Sequence, residues 1–135
     1  QVQADKRKNT FTANIATAYP AEAEVESWIR SYSLQKGQLR ISDSFRLTTA
    51  KQPNQINFMT WGQVNTEIPG KIQLEVKGKK AFIEYDKQLF DVKTETIPLT
   101  DPRLSNVWGK SIYRITLTAT NIYKTGNYSF IIKKQ

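Results

Sequence analysis

The chain has 135 residues, of which 39% are apolar and 24% are charged, and its formal net charge is +8. These values are typical of a single globular domain with its own core, so we expect residues 1–135 to form one domain and exclude a disordered chain. The sequence contains no cysteine and no histidine. This excludes disulfides, thiolate nucleophiles, Ser-His-Asp triads and zinc sites built from thiolate or imidazole ligands.

The first half of the chain alternates between apolar and polar residues, which predicts β-strands. Phe11, Ala13 and Ile15 share one face of the first predicted strand. The segment Ala21–Ile29 contains good helix formers and lacks Gly and Pro, so one or two helical turns are expected there. Further strands are predicted at Trp28–Leu34, Leu39–Leu47 and Ile56–Thr60.

The second half shows the same alternation, with strands predicted at Lys71–Lys77, Lys80–Tyr85, Phe90–Ile97, Ser111–Ala119 and Tyr128–Lys133. The first two form the clearest hairpin, because Gly78 can supply the positive φ that its turn needs. The polar segment Leu99–Trp108 is predicted to be a long loop. The chain is therefore expected to be all-β, a distorted antiparallel β-sandwich of roughly eight to ten strands with little or no helix.

Two sets of carboxylates invite a functional interpretation. Glu22, Glu24 and Glu26 would share one face of an extended chain and could gather calcium or protons. The segment lacks an EF-hand-like loop, so we interpret it as a solvated acidic edge. Asp43 is in register with the apolar residues of its strand and is expected to point inward. We expect a structural salt bridge or a strand-end turn bond there rather than a functional group. No catalytic residue, metal ligand or cofactor is assigned.

Basic residues form three clusters, Lys6-Arg7-Lys8, Lys77-Lys79-Lys80 and Lys133-Lys134. The first and last are expected at frayed termini, and the middle one at a hairpin tip. No nucleic-acid-binding motif accompanies them, so nucleic acid is not predicted as a partner. We interpret the excess of lysine as an aid to solubility, and an acidic polysaccharide is the alternative partner.

Tryptophans beside glycines are the candidate sugar contacts. Trp61 precedes Gly62 and Trp108 precedes Gly109, so either indole could stack on a pyranose ring. Core packing is the main interpretation of each tryptophan, since indole rings bury a large apolar area. The candidate ligand-binding residues are therefore Trp61, Trp108, Lys77, Lys79 and Lys80. No apolar run reaches the roughly 18 residues of a membrane-spanning helix.

Two segments carry a resemblance to a known family. AYPAEAEVESWIR, followed by SYSLQKGQLRISDSF, resembles the C-terminal β-sheet part of the heparinase II/III-like polysaccharide lyases. The matching residues there are Tyr19, Pro20, Trp28, Arg30, Asp43 and Phe45. Near the end, WGKSIYRITLTATNIYKTGNYSFIIKK resembles the closing strands of the same domain, with matches at Trp108, Gly109, Tyr113 and Arg114. The resemblance covers nearly the whole chain.

This resemblance implies a three-part enzyme in which a helical toroid cleaves uronic-acid-containing glycans by β-elimination. The chain would be a non-catalytic C-terminal fragment that packs on the toroid and lines part of the substrate cleft. The catalytic domain of the parent protein would be its partner, and the resemblance implies a periplasmic or secreted location. The alternative is an autonomous carbohydrate- or polyanion-binding module. A third class, an extracellular sandwich with a purely interactive role, stays open.

Overall fold

The computed structural model describes residues 2–135, which form eleven β-strands, one α-helix and two short 3-10 turns. In chain order the elements are β1 (Val2–Asp5), β2 (Thr10–Asn14), 3-10 turns at Ala16–Ala18 and Ala21–Ala23, β3 (Val25–Gln35), β4 (Gln38–Leu47), β5 (Gln55–Thr60), β6 (Gln63–Ile68), β7 (Lys71–Val76), β8 (Lys79–Glu84), β9 (Phe90–Pro98), α1 (Pro102–Trp108), β10 (Ser111–Ala119) and β11 (Thr125–Lys134). The predicted all-β class is confirmed.

The strands form two antiparallel sheets of unequal width. One has eight strands in the order β1-β2-β3-β4-β11-β8-β7-β6, and the other has three in the order β5-β10-β9. The last strand of the chain, β11, lies between β4 and β8 and joins the two halves of the large sheet. The predicted antiparallel sandwich is therefore confirmed, with more strands than the eight to ten expected. The additional strands β1 and β6 are short edge strands whose residues are mostly exposed.

The core lies between the two sheets and is rich in aromatic side chains. Phe130 on β11 is fully buried and contacts Phe58 and Phe90, which reach it from the three-stranded sheet. Trp28 is 5% exposed, and its ring stacks on Phe45 at a centroid distance of 4.9 Å. Trp28 is thus a core residue, as expected.

Asp43 points into this core and is paired with Arg30 on the neighbouring strand. The Arg30 guanidinium donates from Nε to Oδ1 at 2.7 Å and from Nη2 to Oδ2 at 2.6 Å. The Asp43 side chain is fully buried, and that of Arg30 is 23% exposed. The hydrogen bonds with Asp43 raise the pKa of Arg30 above its ordinary value. Of the two structural roles expected for Asp43, the salt bridge is the one observed.

One local prediction is confirmed in part and another is wrong. The helical turn expected within Ala21–Ile29 is limited to a 3-10 turn at Ala21–Ala23, after which β3 begins. The segment predicted as a long loop contains α1, because Asp101 accepts a hydrogen bond from the Arg103 N–H at 2.9 Å and Pro102 occupies the first turn. Asp followed by Pro is a helix-start signal as well as a turn signal.

The Lys71–Tyr85 hairpin is confirmed as β7 and β8. Lys77 and Gly78 have φ values of 50° and 75°, as in the two-residue turns that match the twist of paired strands. The basic clusters expected at frayed termini are instead ordered. Lys6-Arg7-Lys8 lies in the β1–β2 turn, and Lys133-Lys134 lies within β11, where Lys134 pairs with Ala81 of β8.

Truncation of Trp28 tests the aromatic core. We expect Trp28→Ala to lower the free energy of unfolding by about 3–5 kcal/mol, the usual effect of removing a large core aromatic. Trp28→Phe should lower it less, because the buried Nε1 has no hydrogen-bond partner to lose. Urea denaturation measures both variants, with Val107→Ala as a control that changes stability by less than about 1 kcal/mol, since Val107 is 70% exposed. A similar loss in Trp28→Ala and the control would contradict the burial of Trp28.

Removal of Arg30 tests the buried ion pair. We expect Arg30→Ala to destabilise the fold by about 3–5 kcal/mol, because Asp43 is left buried and unpaired. The double variant Arg30→Leu with Asp43→Leu should be more stable than Arg30→Ala alone, since it leaves no buried charge. Arg46→Ala is the control, because Arg46 pairs with Glu26 at the surface, where such a pair contributes less than about 1 kcal/mol. Equal stability of the double and single variants would contradict this account.

Candidate functional site

The two tryptophans proposed as sugar contacts meet at one end of the sandwich. Trp61 lies in the turn between β5 and β6, and Trp108 is the last residue of α1. Their ring centroids are 6.5 Å apart with an interplanar angle of 71°, an edge-to-face contact. Trp61 is 43% exposed and Trp108 48% exposed. The interpretation of these two as core residues is therefore wrong, and both remain accessible to a ligand.

Both rings line a cleft of about 250 Å³. We call it the Trp61–Trp108 cleft; its lining residues are Met59, Thr60, Trp61, Leu99, Leu104, Trp108 and Ile112. The cleft forms on the outer face of the three-stranded sheet, because Ile115 and Leu117 take the inward positions of β10. Its lining is almost entirely apolar, and the rings are not coplanar. It therefore suits one apolar group rather than a flat row of sugar rings.

Gly62 fixes the position of Trp61. A Cβ atom at Gly62 would lie 2.7 Å from the Glu75 carbonyl oxygen and 2.5 Å from a Val76 methyl group. Only glycine allows the β5–β6 turn to approach β7 this closely. The approach brings the Trp61 ring to 6.0 Å from the Nζ of Lys77, at the outer limit of a cation–π contact.

The other candidate lysines line a neighbouring groove. Lys79 and Lys80 lie at the start of β8, and Lys134 joins them because the end of β11 pairs with β8. The groove has a volume of about 690 Å³ and shares Thr60 with the Trp61–Trp108 cleft. Lys80 lies 4.0 Å from the Glu75 carboxylate, which partly offsets its charge. The structure thus brings all five candidate residues to one end of the molecule.

The acidic residues at the start of β3 do not form a site. Glu24 has a φ of 53°, so the three carboxylates do not share the face that an extended chain would give them. Its carboxylate accepts a hydrogen bond from Thr49, which lowers the pKa of Glu24, and lies 3.7 Å from Lys51. Glu26 lies 3.7 Å from Arg46. Within residues 2–135, no group of three or more acidic side chains is arranged to hold a metal ion.

Sequence reasoning missed several members of this end of the molecule. Met59, Leu104 and Ile112 supply much of the cleft lining, but each is an ordinary apolar residue of its element. The sequence predicts a frayed terminus at Lys134, and only its pairing with β8 reveals its place beside Lys79. In the part of the chain that the structure describes, no helix is both long and apolar enough to cross a bilayer.

Comparison with known proteins leaves the family open. No family model matches the chain, and the curated proteins contain no significant match to it. The resemblance to heparinase II/III-like lyases is therefore carried by the sequence motifs alone.

Substitution of Gly62 tests the close approach that positions Trp61. We expect Gly62→Ala to destabilise the fold by about 1–3 kcal/mol, as is usual when a methyl group is forced into a packed site. Val76→Ala added to Gly62→Ala should restore little of the loss, because the contact with the Glu75 carbonyl remains. Thermal denaturation compares both variants with Val76→Ala alone. Full stability of Gly62→Ala would contradict the assigned role.

Proposed function

We propose that this chain is a non-catalytic β-sandwich domain of a heparinase II/III-like polysaccharide lyase and packs on the catalytic part of that enzyme. The observation that carries this proposal is an uncovered apolar surface on the inner face of the large sheet. On that face, residues paired across neighbouring strands form rows. Along each row, the side chains change from buried to exposed toward β1. A periplasmic or secreted location follows from the same resemblance and is part of the proposal.

The middle row shows the change in burial most clearly. It runs through Phe130, Ile41, Tyr32, Phe11 and Ala4, which are cross-strand neighbours. Phe130 is fully buried and Ile41 is 7% exposed, whereas Phe11 is 42% exposed. The smaller sheet therefore covers only one side of the inner face.

The two neighbouring rows behave in the same way. One begins at the buried Ile72 and Ile83 and ends at Leu34, which is 53% exposed. The other ends at Ala13 and Val2. We call the uncovered part the apolar shelf; it consists of Val2, Ala4, Phe11, Ala13, Tyr32 and Leu34. Contiguous apolar surface of this kind usually marks a protein interface.

The residues that carry the family resemblance also support a structural role. Trp28 stacks on Phe45, Tyr19 lies 6.1 Å from Trp28 between ring centroids, and Arg30 is paired with Asp43. These five side chains stabilise the fold beside the shelf. The residues that carry the resemblance are thus residues that stabilise the fold. This is expected for a domain of an enzyme whose catalytic groups lie in another part of the protein.

Lyase chemistry requires groups that this candidate site lacks. β-Elimination at a uronate needs a cation that neutralises the carboxylate, together with a base and an acid at the reacting carbons. The Trp61–Trp108 cleft is lined by apolar side chains and Thr60 alone. Lys77 lies in the exposed β7–β8 turn, and Lys79 is the exposed first residue of β8. This end of the molecule is suited to binding rather than to cleavage.

Activity and surface labelling together test the proposal. We expect the isolated chain to release no unsaturated uronate from heparan sulfate or alginate, and the full natural polypeptide to release it, as followed by ultraviolet absorbance. Because the chain has no cysteine, single variants Phe11→Cys and Leu34→Cys can be labelled with a maleimide. Both should react in the isolated chain. In the full polypeptide they should react at least about tenfold more slowly, because the catalytic part covers them.

Ile122→Cys is the matched control, since Ile122 is 52% exposed in the β10–β11 connection, away from the shelf. Its labelling rate should be the same in both forms. Product formation by the isolated chain, or no activity of the full polypeptide on any uronate, would overturn the proposed function. Unchanged labelling of Leu34→Cys in an active full polypeptide would show that packing uses another face.

A further inference from the structure

The basic clusters of this chain lie at one end of the large sheet. The β1–β2 turn carries Lys6-Arg7-Lys8, and the β3–β4 turn carries Lys36. These two turns are neighbours, because the Leu34 N–H donates to the Asn9 carbonyl at 3.0 Å. The antiparallel topology therefore brings together basic residues that are distant from each other in the sequence.

The same end continues across the sheet to the Trp61–Trp108 cleft. Lys133 pairs with Gln38 next to the β3–β4 turn, and Lys134 pairs with Ala81 next to the β7–β8 turn. That turn holds Lys77, and Lys79 follows it. We call this surface the basic end; its members, all exposed, are Lys6, Arg7, Lys8, Lys36, Lys77, Lys79, Lys80 and Lys134.

The basic end is a line of charge rather than a compact patch. Five strand spacings separate the β1–β2 turn from the β7–β8 turn in the order of the sheet. At about 4.8 Å per spacing, the line is about 24 Å long. A line of cations attracts a linear polyanion by neutralising successive charges and releasing its counterions.

The opposite end of the sheet has a mixed charge. Glu24 and Glu26 lie there near Lys51 and Arg46, and each carboxylate pairs with its basic neighbour. At the basic end the eight basic members outnumber the carboxylates that pair with them, since Asp5 contacts Lys8 at 3.9 Å and Glu75 contacts Lys80 at 4.0 Å. Lys133, beside these members, pairs with Glu84. The net charge of +8 is therefore distributed unevenly over the molecule.

We propose that the basic end binds a linear anionic polysaccharide whose carboxylate or sulfate groups contact successive lysines. Lysine presents a hydrated point charge, and it accounts for every member except Arg7. Single-stranded nucleic acid binding normally adds a series of aromatic side chains for base stacking. Among the described residues, the one cation–π contact along this line joins Lys77 to Trp61. The chemistry therefore favours a polysaccharide over a nucleic acid.

Binding should be electrostatic and salt-dependent, because the lysines are exposed. Each exposed ionic contact contributes about 0–1 kcal/mol, so affinity comes from several contacts along one polymer. A chain long enough to reach both ends of the line should bind more tightly than a short one. This inference does not depend on the proposed lyase, since it concerns the isolated chain.

Charge reversal at the two ends of the line tests the inference. We expect Lys79→Glu with Lys80→Glu, and separately Lys6→Glu with Lys8→Glu, to weaken binding of a long heparin fragment by about tenfold or more at low salt. The control is Lys51→Glu with Lys124→Glu, which changes the net charge equally at the opposite end of the sheet and should weaken binding by less than about threefold. Fluorescence anisotropy of labelled heparin fragments measures the affinities, and circular dichroism checks folding.

Binding measurements with polymers of different length and chemical type provide further tests. Affinity should rise with fragment length up to the span of the line, with one long fragment bound per chain, and dextran should not bind. Equal losses in the control and the basic-end variants would overturn the inference, because they would show only a response to net charge. Binding of a single-stranded polynucleotide more tightly than heparin would overturn it in favour of nucleic acid. If Trp61→Ala abolished binding and the affinity of the unchanged protein did not depend on salt, the binding site would be a stacking site at Trp61 rather than the line of cations.

Discussion

The large sheet has eight strands, and the smaller sheet that packs on it has three. This difference in width determines the two surfaces described above, the apolar shelf and the basic end. The smaller sheet buries Phe130 and Ile72 against Ile115 and Leu117, whereas the same inner face continues uncovered to Phe11. Each Å² of apolar surface left in water forgoes about 25 cal/mol of stabilisation. The alternating pattern on β1 and β2 thus continues an apolar face that this chain alone does not bury, which favours a further polypeptide surface above it.

The Arg30–Asp43 pair lies at the boundary between the covered and uncovered parts. Its row passes from the buried Tyr128 through the ion pair to Ala13 and then to Val2 at the sheet edge. A partner on the apolar shelf would exclude water from the part of Arg30 that is still exposed. Two hydrogen bonds already hold the guanidinium on the carboxylate, so the pair is suited to such an environment. The Arg30–Asp43 pair therefore allows protein to pack on it both from the covered core and from the apolar shelf.

The sequence predicts those features that depend on local alternation. Strand β10 begins and ends as predicted at Ser111–Ala119, because its inward and outward residues alternate without interruption. Strand β1 has only four residues, the lower limit at which alternation indicates a strand. The sequence does not predict α1, because Asp101 and Pro102 begin a helix as readily as a turn. The candidate site depends on long-range pairing. Trp61 and Trp108 were predicted separately, and no local pattern reveals that a turn and a short helix place them in contact.

The apolar shelf and the basic end share a border, which relates the two proposals to each other. The β1–β2 turn that carries Lys6 and Lys8 adjoins Leu34, a member of the shelf, through the hydrogen bond to Asn9. A polypeptide packed on the shelf would therefore lie beside the first cations of the line. An anionic polymer bound along the basic end would pass next to that partner rather than on a remote face.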